Sequence, residues 1–102
     1  MSFGLEEETI RQIQSTFAKF PLIEKAVIYG SRAKGTNKKG SDIDLCLFGI
    51  SINQKVLYQI ETALDDLWLP YTFDLCAYQT IGNDDLKRHI DRIGITFYEV
   101  SH

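Results

Sequence analysis

Hydrophobic positions along this chain switch between two periods. Over residues 5–20, Ile10, Ile13, Phe17 and Phe20 recur at helical spacing and fall on one face. Glu6, Glu7 and Glu8 open that segment, where a helix dipole favours anions, and Pro21 closes it. Residues 25–29 (KAVIY) predict a short buried strand that runs into Gly30-Ser31. Residues 36–41 (TNKKGS) have turn composition. Residues 42–48 (DIDLCLF) then alternate strictly. Ile43, Leu45 and Leu47 point one way, and Asp42, Asp44, Cys46 and Phe48 the other.

The second half repeats this alternation of periods. Ser51-Ile52-Asn53-Gln54 offers either a capping box or an Asn cap. The helix it opens carries Val56, Leu57, Ile60, Ala63, Leu64 and Leu67 at helical spacing, and Pro70 closes it. Residues 71–77 predict a third strand, with Tyr71, Phe73, Leu75 and Ala77 on one face and Thr72, Asp74 and Cys76 on the other. Asn83 or Asp84 caps a helix that turns Leu86, Ile90 and Ile93 inward, with Gly94 at its C′ position. Residues 95–100 form a last strand. The order α-β-α-β-α-β-α-β predicts an α+β domain with α/β-like order, spanning 1–102. Its core is a mixed sheet of about four strands with helices packed on it. A short link suits an antiparallel return between the first two strands, and a helix-containing link suits a parallel crossover to the third.

Composition narrows the class. Of 102 residues, 44% are hydrophobic and 25% charged, which excludes a disordered chain. No apolar run is long enough to span a membrane. The acidic start is unlike a secretory leader, so a cytoplasmic location is expected. Cys46 and Cys76 are the only cysteines and lack zinc-type spacing; in a reducing compartment they read as small buried hydrophobes. A net charge of −3 argues against a broad basic face for nucleic acid.

The candidate chemistry starts at Asp42 and Asp44. Two carboxylates at i and i+2 of a strand share a face, with Cα atoms about 6.6 Å apart. At about 4 Å and a dielectric of about 20, like charges repel by about 4 kcal/mol, which a cation removes. Solvated acids on a strand edge are the plain alternative. Gly30-Ser31 ends a strand and opens a short helical segment, an arrangement that can hold phosphate, with Arg32 and Lys34 beside it. A simple turn is the plain alternative there. Asp74 sits in the apolar run YTFDLCAY, where a carboxylate must be solvated, paired or metal-bound. If its strand runs parallel to 42–48, Asp74 lies about 4.8 Å from one of the other two. Three carboxylates can hold the two metal ions of nucleotidyl transfer.

Taken together, GSRAKGTNKKGSDIDL at 30–45 resembles the signature of the DNA polymerase β-type nucleotidyltransferase superfamily. The compact size and the ending LKRHIDRIGITFYEV resemble its minimal nucleotidyltransferases, the antitoxin partners of HEPN-domain proteins in toxin–antitoxin pairs. The resemblance implies that Gly30 and Ser31 bind the nucleotide's phosphates, and Arg32, as positive charge beside them, is expected to bind the nucleotide too. It implies that Asp42, Asp44 and Asp74 are catalytic and hold two Mg²⁺ ions, and that ATP is the donor. The implied reaction attaches AMP to a tyrosine of a HEPN partner. The alternative is a non-catalytic module that masks this partner. Larger members carry a helical domain after the last strand of this pattern, which leaves the acceptor open: a hydroxyl on a protein partner is expected, with an RNA end or a small molecule as the alternatives. Self-association is compatible with both readings.

Other residues read more plainly. Trp68 is expected in the core or at its rim, and Lys38 and Lys39 in a solvated turn. His89 and His102 lack ligand spacing. Tyr29 suits either the nucleotide pocket or the core. With Asp42, Asp44 and Asp74 set aside, acids and bases balance at eleven each, so the net charge is a candidate property of the site itself.

Overall fold

A computed structural model describes residues 3–38 and 40–100. Lys39 and His102 lie outside the described residues. Helix α1 spans Glu7–Ala18, and strand β1 spans Lys25–Tyr29. A single turn, α2, covers Ser31–Lys34 before strand β2 at Ile43–Phe48. Helix α3 (Gln54–Asp65) leads to strand β3 (Phe73–Ala77) and a 3-10 turn at Tyr78–Thr80. Helix α4 (Asp84–Ile93) and strand β4 (Ile95–Glu99) complete the chain. The sheet order is β3-β2-β1-β4. β1 is antiparallel to both neighbours, while β2 and β3 are parallel, so the sheet is mixed as expected.

The alternation in β2 divides the molecule into two layers. Ile43, Leu45 and Leu47 are fully buried and join Ala26, Ile28 and Phe97 beneath α1 and α3. The opposite face carries Val27, Tyr29 and Cys46 against Ile90 of α4. The helices begin where local chemistry directs. Asn53, rather than Ser51, caps α3 by accepting from the Val56 amide. Asn83 caps α4 by accepting from Asp85 and Leu86. Helix α1 stops at Ala18, short of Pro21, and its Glu6 N-cap makes no side-chain bond.

Two expectations need correction. Gly94 does not adopt a left-handed C′ conformation; its φ is −64°. A Cβ there would collide with the Val27 side chain and the Ile90 carbonyl. Glycine is therefore required by the close approach of α4 to β1, not by handedness. Trp68 is not core: it is 91% exposed, in the turn after α3.

Candidate active site

Register builds the site. Asp44 pairs with Tyr29 across the antiparallel ladder and with Asp74 across the parallel one. One face of the sheet is therefore ordered in rows: Tyr29–Asp44–Asp74, then Val27–Cys46–Cys76. Ile90 of α4 packs on the second row and on Tyr29. Asp74, on the edge strand β3, is exposed, and Asp44 is half-buried. Asp42 is exposed immediately before β2. The solvation that Asp74 needs thus comes from its edge position.

The three carboxylates share one electrostatic field. Burial raises the Asp44 pKa above its ordinary value, and the charges of Asp74 and Asp42 raise it further. The Arg32 guanidinium partly offsets this. Among the described residues, no three ligating side chains are already gathered into a ready-made metal cluster. The donor set nevertheless suits a hard divalent cation: three carboxylates, two of them adjacent across a ladder and mutually repulsive.

Gly30 fits tightly against this row. Its φ of 76° and ψ of −152° lie in a region essentially restricted to glycine. A Cβ on Gly30 would strike the Asp44 carboxylate, with Asp44 Cγ only 3.3 Å away. Backbone and carboxylate thus meet with no side chain between them. Ser31 starts the α2 turn, whose N-terminus has no side-chain cap.

Arg32, expected at the nucleotide, is instead buried to 3% exposure. Its Nη1 donates to the Phe3 carbonyl at 2.8 Å. Its Nη2 and Nε donate to the Ser41 carbonyl at 2.8 and 3.3 Å. The guanidinium also lies 5.1 Å from the Tyr71 ring centre. Arg32 therefore fixes the residue before Asp42, a positioning role that nothing in its sequence neighbourhood announced. Tyr29 belongs to the core: its hydroxyl lies 3.6 Å from Cys76 Sγ, and its ring meets His89 edge-on. Burial pushes the Tyr29 phenol well up. The thiols of Cys46 and Cys76 are neighbours on adjacent strands and are both free.

The family model for the polymerase beta nucleotidyltransferase domain matches residues 11–102. No match was found among curated proteins. Several solved structures share the fold. A chain of a toxin–antitoxin complex with AMP-PNP aligns with a TM-score of 0.72 at 17% identity, covering 95% of this chain and 76% of that one. A chain of an MntA–HepT toxin–antitoxin complex gives 0.70 at 12% identity, covering 93% and 74%. A chain of the complex of the tri-AMPylated Shewanella oneidensis HEPN toxin with MNT antitoxin gives 0.70 at 12% identity, covering 94% and 74%. At such identities the likeness establishes the fold. Among the described residues, no helix is long and apolar enough to cross a membrane.

Proposed function

This chain belongs to the polymerase beta nucleotidyltransferase family, and we propose that it transfers AMP from ATP to a hydroxyl on a partner protein, acting as the antitoxin of a HEPN-domain toxin. One observation carries the reading: a glycine-only backbone corner lies against Asp44, which stands in register with Asp74. In this reading Gly30 lets the donor's phosphates approach the chain closely. Ser31 and the free amides of α2 hold the terminal phosphates. Asp42, Asp44 and Asp74 hold Mg²⁺, two ions in the full site. When bound, the ions neutralise the carboxylates and polarise the α-phosphate.

The remaining groups orient and receive. The acceptor oxygen bonds to the α-phosphorus as pyrophosphate leaves. Asp74, exposed on the edge strand, is the carboxylate best placed to take the acceptor's proton. Arg32 keeps Ser41, and with it Asp42, in place. AMP-PNP in one structure of the same fold, and an AMPylated HEPN toxin in another, support ATP as donor and a HEPN protein as acceptor. A tyrosine is the hydroxyl that the family resemblance suggests.

Incubation with α-labelled ATP, Mg²⁺ and the protein encoded beside this chain tests the reading. Label should move to that protein and should vanish with Asp44→Asn. Absence of transfer, with full toxin neutralisation by Asp44→Asn, would favour simple masking instead.

A further inference from the structure

Behind the carboxylates lies a pair of thiols that the proposed reaction does not use. Cys46 and Cys76 are register partners on the parallel strands β2 and β3, each two residues beyond a carboxylate of the site. They are the chain's only cysteines, and both are free. The Cys46 thiol hydrogen-bonds to the Cys76 sulfur. The Tyr29 hydroxyl, from β1, reaches across β2 to within 3.6 Å of that same sulfur. The two surroundings differ. Cys46 is fully buried in the row that Ile90 covers, whereas Cys76 is half-buried on the edge strand. A reagent in solvent therefore meets Cys76 first, with Cys46 beside it and shielded.

The spacing permits a bond between the two sulfurs, though not a relaxed one. Neighbouring strands set Cα atoms about 4.8 Å apart, inside the range of about 4.4–6.8 Å that a disulfide spans. Side chains that rise side by side from a parallel ladder keep their Cβ atoms near that spacing too. That is wider than the roughly 3.8 Å usual across a disulfide. Closing the bond therefore draws β3 towards β2 at this rung. The next rung on the same two strands and the same face is Asp44–Asp74. Disulfides closed against strain are the readily reduced, regulatory kind.

We propose that Cys46 and Cys76 form a reversible redox site, closed by a hydroperoxide and reopened by a dithiol, and that closing it shifts the Asp44–Asp74 pair. The Cys76 sulfur attacks one oxygen of hydrogen peroxide. The S–O bond forms as the O–O bond breaks, and the other oxygen leaves as water with the thiol's proton. The Cys46 sulfur then attacks Cys76. The S–S bond forms as the S–O bond breaks, and the hydroxide leaves as a second water with the Cys46 proton. Two thiols give up two electrons, the peroxide takes them, and the chain ends lighter by two hydrogens. A dithiol returns both electrons by exchange through a mixed disulfide. The bond stands independently of the proposed transfer; its effect on the carboxylates rests on that reading.

Brief exposure of the reduced protein to hydrogen peroxide, then alkylation and peptide mass spectrometry, tests the bond. One peptide pair linked through Cys46 and Cys76 should appear, and dithiothreitol should remove it. Non-reducing gels should keep the single-chain mass. Cys76→Ser retains a hydroxyl for Tyr29 to meet and should form no link. Melting curves across Mg²⁺ concentrations test the effect on the carboxylates. The oxidised wild type should need more Mg²⁺ than the reduced protein for the same rise in Tm. Its AMP transfer should fall about 10–100-fold, as for a misplacement approaching 1 Å. Both should return with dithiothreitol, and peroxide should change neither in Cys76→Ser. Cys76 driven to sulfinic acid with no linked peptide, or a disulfide formed only between two chains, would overturn the inference. So would a linked protein with the Mg²⁺ response of the reduced one. Reduced protein that gains Tm from Mg²⁺ yet transfers no AMP would sink the transfer reading alone, while the linked peptide and the Mg²⁺ response still decide the redox site.

Discussion

Replacing Gly30 by alanine probes the site most sharply. The wild-type backbone there has φ 76° and ψ −152°, a region that costs other residues about 1–3 kcal/mol. The added methyl also meets the Asp44 carboxylate, which must move. Together these put the loss near 2–3 kcal/mol, the upper part of that range. For a domain of this size each kcal/mol lowers Tm by about 4–8 °C, so a fall of about 10–20 °C is expected. Displacing Asp44 by about 1 Å should cost AMP transfer about 100-fold, measured well below the new Tm. Gly35→Ala is the matched control. Gly35 also has positive φ, at 77°, but its ψ of 14° is ordinary left-handed backbone and no atom lies within 4 Å of a new Cβ. It should lose about 1–2 kcal/mol and no activity. Thermal melts, urea unfolding and label transfer on both variants decide the matter. If Gly30→Ala matched Gly35→Ala in stability and transferred AMP at the wild-type rate, the close fit of backbone to carboxylate would have no functional weight.

Two further outcomes follow from the site's electrostatics. The folded pKa of Asp44 is raised above 3.8, so the folded state binds that proton more tightly than the unfolded chain does. Stability in chelator should therefore fall as pH rises from near 3.8 through the folded value. Asp44→Asn should remove that part of the fall and be the more stable protein at pH 7, with the gap closing in acid. Urea unfolding across pH measures it, and a variant less stable than wild type at pH 7 would refute the sign. Hydrogen bonds to Cys46 and Tyr29 bring the Cys76 thiol down to about 7, while Cys46 is pushed up. Iodoacetamide at pH 8 should thus modify Cys76 before Cys46, and Tyr29→Phe should slow it. Peptide mass spectrometry reads the order.

How far the fold was legible depended on the range of the forces involved. Local periodicity located β1 and β2 to within a residue, and the face shared by Asp44 and Cys46 followed from the pleat alone, whereas Asp42, expected inside the strand, precedes it. The parallel register of Asp44 with Asp74 was legible as a condition, because a helix-containing link permits a parallel crossover. β4 was legible as a strand but not as a neighbour of β1. That pairing depends on long-range contacts and on a bulge between Ala26 and Val27 that no local pattern encodes. The buried place of Arg32 was not legible for a related reason. Its place in the sequence beside Gly-Ser suggests phosphate, but its acceptors, Phe3 and Ser41, are brought to it only by folding. Trp68 was misplaced because apolar character predicts burial in a fold taken alone.

The same comparison of forces explains how β2 holds Asp44 with one residue between it and the like charge of Asp42. Ile43, Leu45 and Leu47 are fully buried on the other face. At about 1.5–3 kcal/mol each, their burial contributes about 5–9 kcal/mol. Repulsion between two carboxylates 4 Å apart at a dielectric of about 20 costs about 4 kcal/mol, and less at wider separation. The apolar side therefore wins, and the strand that places Asp44, with Asp42 just before it, follows from the core rather than from a bound ion. The fold should thus be in place before any cation binds, so titrating in Mg²⁺ should raise Tm without a change in far-ultraviolet circular dichroism. A chain that gained secondary structure on adding Mg²⁺ would show instead that repulsion, not burial, decides the shape of β2.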